Sequence, residues 1–524
     1  MTPGFLRSSR PFLTLAAGVT LIAAWLPLFP VLAPLFSLQA FHDLSDPRLQ
    51  GLLGRTLWLS FCAAFLSALL GLPAAILAHR VRLPFASFAT LLLPLPLLLP
   101  PLLLAQAWHG LTGMDGPWAA VFSLGLSGLP FPALFAARAL ERQSSSTQET
   151  ALLIGGPKLA FRAWLRCALP ATIFGAALAF LLAATDFAVP DYFAAVGDKF
   201  SVYAAEVFNG WRSENLLAGA STAAPLVLLA AIGFYIALVI RDRNRHEDAG
   251  SGKVATPIQP DQFKLPLSLL LWSILGLALI LPLARILWET GAAGPEASGD
   301  WFSRSSEAFH NAFERGRADL LRSLRTGLLA GGLTLVVAPF WAHFFLNRKP
   351  GRRTRLLQLA IALPLLVPAV GTGLGSILVW NRPLTADFFD SWLLPPLILA
   401  GRFLPLAVFL LIERMERVPR SQDDAAQLAG VLYPARIFRY LLGPQRAAWL
   451  LSGALVAVFA IRELDLAVLL PAANPSAAVR YYNALHFARD GFVAAFGLII
   501  ALLLFFPIVL HFLQQSLKSS KTLD

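Results

Sequence analysis

The chain has 524 residues, 57% of them hydrophobic and only 14% charged, with a mean hydropathy of +0.66. So few charges cannot cover the apolar surface of a soluble protein this large, so the composition points to an integral membrane protein. The net charge of +12 lies in short basic clusters between apolar stretches rather than on one face, which argues against nucleic acid as a partner.

A helix crossing a bilayer needs about 20 apolar residues. That length predicts twelve spans at 12–35, 56–78, 86–110, 118–138, 170–190, 216–240, 265–288, 324–346, 356–380, 391–412, 447–470 and 491–514. Arg7 and Arg10 before the apolar run 11–36 have the charge order of a secretory signal. The run is too long for one and lacks a clear cleavage site, so it reads as the first span. Under an alternating path, Arg7/Arg10, Arg80/Arg82, the 138–166 loop, Arg241/Arg243/Arg245, the 348–355 loop, the 414–446 loop and Lys518/Lys521 share one side. Basic residues mark the cytoplasmic side, so both termini are expected there. A loop at 289–323, on the other side, mixes Arg315, Arg317 and Arg322 with acids. Cys62 and Cys167 have neither disulfide nor metal-ligand spacing and read as small apolar residues.

The pattern repeats along the chain. Leu95-Pro96-Leu97-Leu98-Leu99-Pro100 in the third span resembles Leu363-Pro364-Leu365-Leu366-Val367-Pro368 in the ninth, and His79-Arg80 matches Asn347-Arg348. Residues 241–263, with Gly250, Ser251, Gly252, Pro257 and Pro260, read as a linker between a first lobe, 1–240, and a second, 264–524. Six spans in each lobe make the fold an all-α membrane protein of two parallel repeats.

Two basic loops carry a second repeat. Asp423-Asp424-Ala425-Ala426, Gly430 and Gly443-Pro444 lie in the 421–444 loop; Glu149-Thr150-Ala151, Gly155-Gly156 and Leu169-Pro170 lie in the 146–170 loop. Gly156 to Pro170 and Gly430 to Pro444 both span 14 residues, at an offset of 274. Ser421 stands three residues before Asp424, close to a capping box, and Ser146 or Thr147 is placed to cap the first copy. Each loop therefore predicts a helix of about two turns, stopped by a left-handed glycine and followed by a proline that opens the next span. Small alanines on such a helix let another protein approach closely. One copy is explained as well by an ordinary capped loop helix, whereas two copies at one offset favour a docking role. In the ungapped register Glu149 faces Asp423, Thr150 faces Asp424 and Leu152 faces Ala426. A second register pairs Glu149 with Asp424 and Gly155 with Gly430 but needs an insertion further on.

Asp424-Ala425-Ala426 followed by Gly430 resembles the "EAA" loop of type I ABC importer permeases, and nearly the whole chain is similar to a fused, two-lobed subunit of that family. The resemblance implies ATPase coupling through Glu149, Thr150, Ala151, Gly155 and Gly156, and through Asp423, Asp424, Ala425, Ala426 and Gly430. It also implies a bacterial inner-membrane location, two copies of a cytoplasmic ABC ATPase as partners, and a periplasmic or lipoprotein substrate-binding protein on the other side. Asp186-Phe187-Ala188, Asp191-Tyr192-Phe193 and Tyr203 resemble the ferric-iron branch, as does Arg462-Glu463-Leu464-Asp465, where that branch usually has proline in place of Asp465. Leu399–Pro405 and Ala136–Leu140 also match, and the thiamine permease is a near relative with the same layout.

Asp186, Arg462, Glu463 and Asp465 flank the ends of the fifth and eleventh spans, and with Tyr192 they are candidates for a translocation path or gate. Ionisable groups near the hydrocarbon must face water, a partner or a cavity. Pairing of Arg462 with Glu463 or Asp465, holding the two lobes together, is the plainer explanation. Arg402 lies within an apolar span and is expected to face the bundle interior or to snorkel. The prolines of the third and ninth spans suit either broken helices at a gate or kinked packing helices. His79, His109, His310, His343 and His486 form no ligand spacing and read as surface or interfacial. No catalytic residue, metal site or resident cofactor is expected. No glycine-rich loop ending in Gly-Lys-Ser/Thr occurs, so ATP is expected to be used by the partner subunits. A secondary transporter explains the spans but not the paired loops, and a membrane-embedded enzyme needs a cluster of acids or histidines that the sequence supplies only thinly.

Overall fold

A bilayer offers no water to backbone N–H and C=O groups, so a spanning chain must satisfy them within itself. The computed structural model describes residues 3–33, 46–209, 222–244, 256–259, 261–292, 299–416, 418–471, 474–487 and 491–520. Among these, helices dominate and the one extended pairing is a single bridge, Val81 to Ile258. Eight helices are long and apolar enough to cross a membrane, and eleven if each of three sharply bent helix pairs counts as one crossing. The chain is an all-helical, multi-pass membrane protein. The last expected span falls on helix Gly491–Ser520, whose described apolar stretch, Gly491–Phe506, is shorter than the others. Lys521, Arg245 and the linker residues Gly250, Ser251, Gly252 and Pro260 lie outside the described residues.

Proline accounts for the largest departures from straight helices. Ala86–Leu97 and Pro101–Thr112 meet at 102°, and Arg352–Leu366 and Ala369–Trp380 meet at 89°. At the two corners Pro100 and Pro368 take extended ψ values of 130° and 136°. Each also lacks the N–H that would have continued the helix. The helices break sharply at these prolines and are not merely kinked. A subtler adjustment occurs at Leu21–Trp25 and Gly276–Ile280, where one π turn precedes Leu26-Pro27 and Leu281-Pro282. The wider turn, closed from Leu26 N–H to Leu21 and from Leu281 N–H to Gly276, is how a helix carries on past proline.

Two groups of helices form the body. In one, Pro47–Arg80 packs on Gly116–Gly128, Pro130–Arg142 and Ser145–Thr185; in the other, Trp301–Leu346, Leu394–Met415 and Arg446–Arg462 pack on one another. Hydrophobicity does not drive helices together in lipid, so close approach relies on small residues. A Cβ on Gly331 would lie 2.5 Å from the Gly453 carbonyl, and one on Gly175 would lie 2.6 Å from Pro132 Cα. The N-terminal segment does not stay with its sequence neighbours. Leu26–Leu32 packs on Ala369–Trp380 and the π turn Leu21–Trp25 on Leu394–Met415, where Gly375 and Gly401 admit the carbonyls of Pro27 and Ala23. Reciprocally, Lys264–Leu275 packs on Pro47–Arg80, and Leu281–Thr290 on Pro101–Thr112.

Several boundaries differ from the sequence expectation. The 289–323 loop is mostly helix: Trp301–Leu346 is one element of 46 residues, about 69 Å at 1.5 Å per residue and over twice the ~30 Å hydrocarbon thickness. Asp300 caps it by accepting from Ser303 N at 3.1 Å. Its first half buries Ser305, Ala308, Ala312, Gly316 and Asp319, a helical stripe of small and polar residues. Pro170 does not open a helix but lies inside Ser145–Thr185, and the helix expected over 447–470 ends at Arg462.

Candidate functional site

The two repeated loops fold as short helices within basic stretches of the chain. In the later copy the helix is Arg420–Leu428, beginning after Pro419, with no side-chain cap. Ser421 therefore sits inside the first turn instead of capping it. Gly430, at φ 72°, ends the helix, and the bonds from Gly430 N to Gln427 O and from Val431 N to Ala426 O, each 3.0 Å, form a Schellman closure. Asp423 does not face solvent. Its carboxylate accepts from Arg436 Nε at 2.9 Å and Nη2 at 2.8 Å, and lies 3.1 Å from His343 Nε2. Burial pushes the Asp423 carboxyl upward, but hydrogen bonds and charge from His343 and Arg436 outweigh it and hold the group below its ordinary value. His343 is fully buried, not interfacial, with Nδ1 3.1 Å from the Tyr433 hydroxyl. This cluster ties the loop helix to Trp301–Leu346.

The earlier copy starts at Ser145, so neither Ser146 nor Thr147 caps it; the Ser144 hydroxyl lies 2.9 Å from that of Thr147. The helix breaks at Gly156, φ 64°, and resumes at once through Pro157 into the span ending at Thr185. Here the buried anchor is neutral. Gln148 accepts from Trp164 Nε1 at 3.0 Å and donates to Thr256 O at 2.7 Å. Residues 256–259 are therefore strapped to this loop, and Ile258 pairs with Arg80 and Arg82 across backbone bonds of 2.9 Å.

Burial along the two helices follows one register. Gln148 and Ala151 are buried at the same spacing as Asp423 and Ala426, while Glu149 and Thr150 are exposed like Asp424 and Ala425. Glu149 thus answers to Asp424, as in the second of the two registers. The left-handed residue is nevertheless Gly156, not Gly155, so the earlier helix takes one extra residue before its break. Four residues after each exposed acid, on the same face, stands a leucine open to solvent: Leu153 is 87% exposed and Leu428 is 89%. These leucines were not singled out in the sequence, although a large apolar residue before the terminating glycine is the signal that marks them.

The path candidates assemble in a cavity of about 90 Å³ between the two helix groups, lined by Asp186, Arg402, Arg462, Glu463 and Asp465. Asp186 and Glu463 each follow a long helix and each caps the next turn, accepting from Val189 N at 2.9 Å and Leu466 N at 3.2 Å. Asp465 joins the groups by accepting from Phe187 N at 2.9 Å. Arg462 makes no ion pair with Glu463 or Asp465 among the described residues. It donates instead to the carbonyls of Leu97 and Leu99 at the first proline break, at 3.1 Å for Leu99. Arg402 is buried, as the interior alternative has it, and donates to Pro364 O at 3.2 Å and Val367 O at 2.8 Å, at the second break. Tyr192 is buried elsewhere, edge-on to His109, and does not line the cavity. Among the described residues no group of three His, Cys, Asp or Glu is placed to hold a metal ion.

The chain matches no family model and no curated protein.

Proposed function

We propose that this chain is the membrane permease of a binding-protein-dependent ABC importer, moving cargo inward by alternating access under the force of separate ATPase subunits. The observation that carries the reading is the pair of loop helices. Both lie in basic stretches, both end in a left-handed glycine, and both are anchored inward by a buried polar side chain. Each shows an acid and a leucine outward on one face. An apolar side chain nearly wholly exposed at matching positions is the form of a plug awaiting a socket, and two plugs suit two copies of one motor. The paired proline breaks and paired π turns support division of the chain into two parallel lobes, 1–240 and 264–524, of six spans each. In this reading the basic face is cytoplasmic, in a bacterial inner membrane. Ferric iron, as cargo, rests on the sequence likeness around Asp186–Tyr203, Arg462–Leu470, Leu399–Pro405 and Ala136–Leu140, and thiamine or another small solute is compatible with the same architecture.

The test is site-specific crosslinking in native membranes from Leu153→Cys and Leu428→Cys, with Cys62 and Cys167 replaced by alanine. The expected product at both positions is the same nucleotide-hydrolysing protein, lost when Asp424→Arg and Gly430→Pro are combined. No crosslink to an ATPase at either position, or unaided uphill uptake by the purified chain in liposomes, would refute the reading.

A further inference from the structure

The two arginines of the cavity do the same thing at two places. A helix that stops at a proline break leaves its last carbonyls without N–H partners, and such carbonyls carry the negative end of the helix dipole. Arg402 serves Pro364 and Val367 at one break, and Arg462 serves Leu97 and Leu99 at the other. Arg402 lies eight residues into Leu394–Met415, about 12 Å along its axis, well inside the helix and not at its end. Neither arginine makes an ion pair among the described residues, and Arg402 Nε is buried without a hydrogen-bond partner. Both charges therefore rest on neutral carbonyls while three carboxylates, Asp186, Glu463 and Asp465, line the same cavity.

The two sites are also joined. The Arg462 guanidinium lies 4.4 Å from the centre of the Phe459 ring and that of Arg402 5.7 Å from the Phe403 ring, and the two rings are 5.2 Å apart. The tilted ring pair, at an interplanar angle of 53°, thus lies between the two guanidinium sites. We propose that Arg402 and Arg462 are twin latches of a closed path: each pins a proline-broken span shut, and opening passes each guanidinium to the carboxylates waiting in the cavity. The carboxylates are then alternative partners, not cargo ligands. A buried guanidinium that let go of its carbonyls with no carboxylate nearby would be stranded without a counter-charge, which is why the acids belong to the same cavity. This rests on the proposed transport function, because a path that never opens needs no second partner.

The experiment uses the full chain in proteoliposomes, with Cys62 and Cys167 replaced by alanine and one reporter, Ala183→Cys, on the cavity wall. The readout is the rate of labelling by a small membrane-impermeant thiol reagent. Arg402→Ala and Arg462→Ala are each expected to speed labelling at least tenfold without nucleotide; should either fail to insert, Arg402→Gln and Arg462→Gln, too short to bridge both carbonyls, replace them. Asp186→Asn, Glu463→Gln and Asp465→Asn together keep all three backbone hydrogen bonds. The triple variant is expected to leave resting labelling within twofold of the parent but to abolish the acceleration produced by ATP in the complex with the ATPase. Labelling unchanged in the arginine variants, with ATPase binding intact, overturns the latch alone. Faster labelling in a chain that binds no ATPase supports the latch and removes the importer reading. ATP-driven acceleration that survives loss of the carboxylates overturns the transfer.

Discussion

Removing the carboxylate of Asp423 is the most direct test of how the later loop helix is held. Arg436 is 1% exposed and makes its two carboxylate bonds, 2.9 and 2.8 Å, to this one residue, so Asp423→Ala leaves a buried cation without its counter-charge. Breaking a buried pair from one side costs about 3–5 kcal/mol, or about two to three and a half powers of ten in an opening equilibrium. Hydrogen–deuterium exchange over residues 420–441 should accelerate by that factor in Asp423→Ala. Exchange over Pro47–Arg80, outside the cluster, should not move. Replacing both partners together, Asp423→Leu with Arg436→Met, should recover most of the protection, since a well-packed apolar pair is often no worse than a buried ion pair. Protection in Asp423→Ala within threefold of the parent would mean that the pair does not hold the helix, and the reasoning fails.

The same carboxylate fixes the pH response. Its folded value is depressed, so its contribution is complete above the unfolded value of about 3.9 and is lost only as pH falls through the depressed one. Exchange protection of 420–428, corrected for intrinsic rate, should be lost as pH falls below about 4, when the carboxylate is protonated. Gly430→Ala should destabilise the loop by about 1–2 kcal/mol in the same measurement, because φ is 72° and nothing lies within 4 Å of an added Cβ, leaving backbone strain as the whole effect. Gln148→Leu strands the buried Trp164 indole N–H and should loosen the earlier loop by about 1–3 kcal/mol, with faster exchange at 256–259 as the linked sign. Leu153→Asp with Leu428→Asp should leave thermal stability within about 0.5 kcal/mol while abolishing ATPase binding, measured by co-purification of the complex.

Apolar length and proline pairs made the eight long apolar helices and both sharp proline breaks legible in the sequence, because a membrane leaves the backbone few alternatives. The loop helices were legible through their glycines, since a left-handed residue is a local property. What escaped depends on which distant helix arrives. Asp423 looked like a docking acid until His343 and Arg436 closed over it, and Arg462 looked like the mate of Glu463 until the Leu97 and Leu99 carbonyls took it. The 301–323 segment read as a loop because its buried stripe is serine, alanine, glycine and aspartate. Hydropathy does not register such a stripe, yet it packs well against Gly491–Ser520.

The N-terminal helix presses the carbonyl of Pro27 against Gly375, so its true neighbour is made only after most of the chain has left the ribosome. Domains usually fold in order of synthesis, but here the opening segment must wait in lipid with its packing face bare. A chain that stops before Ala369 therefore lacks the helix that covers Leu26–Leu32.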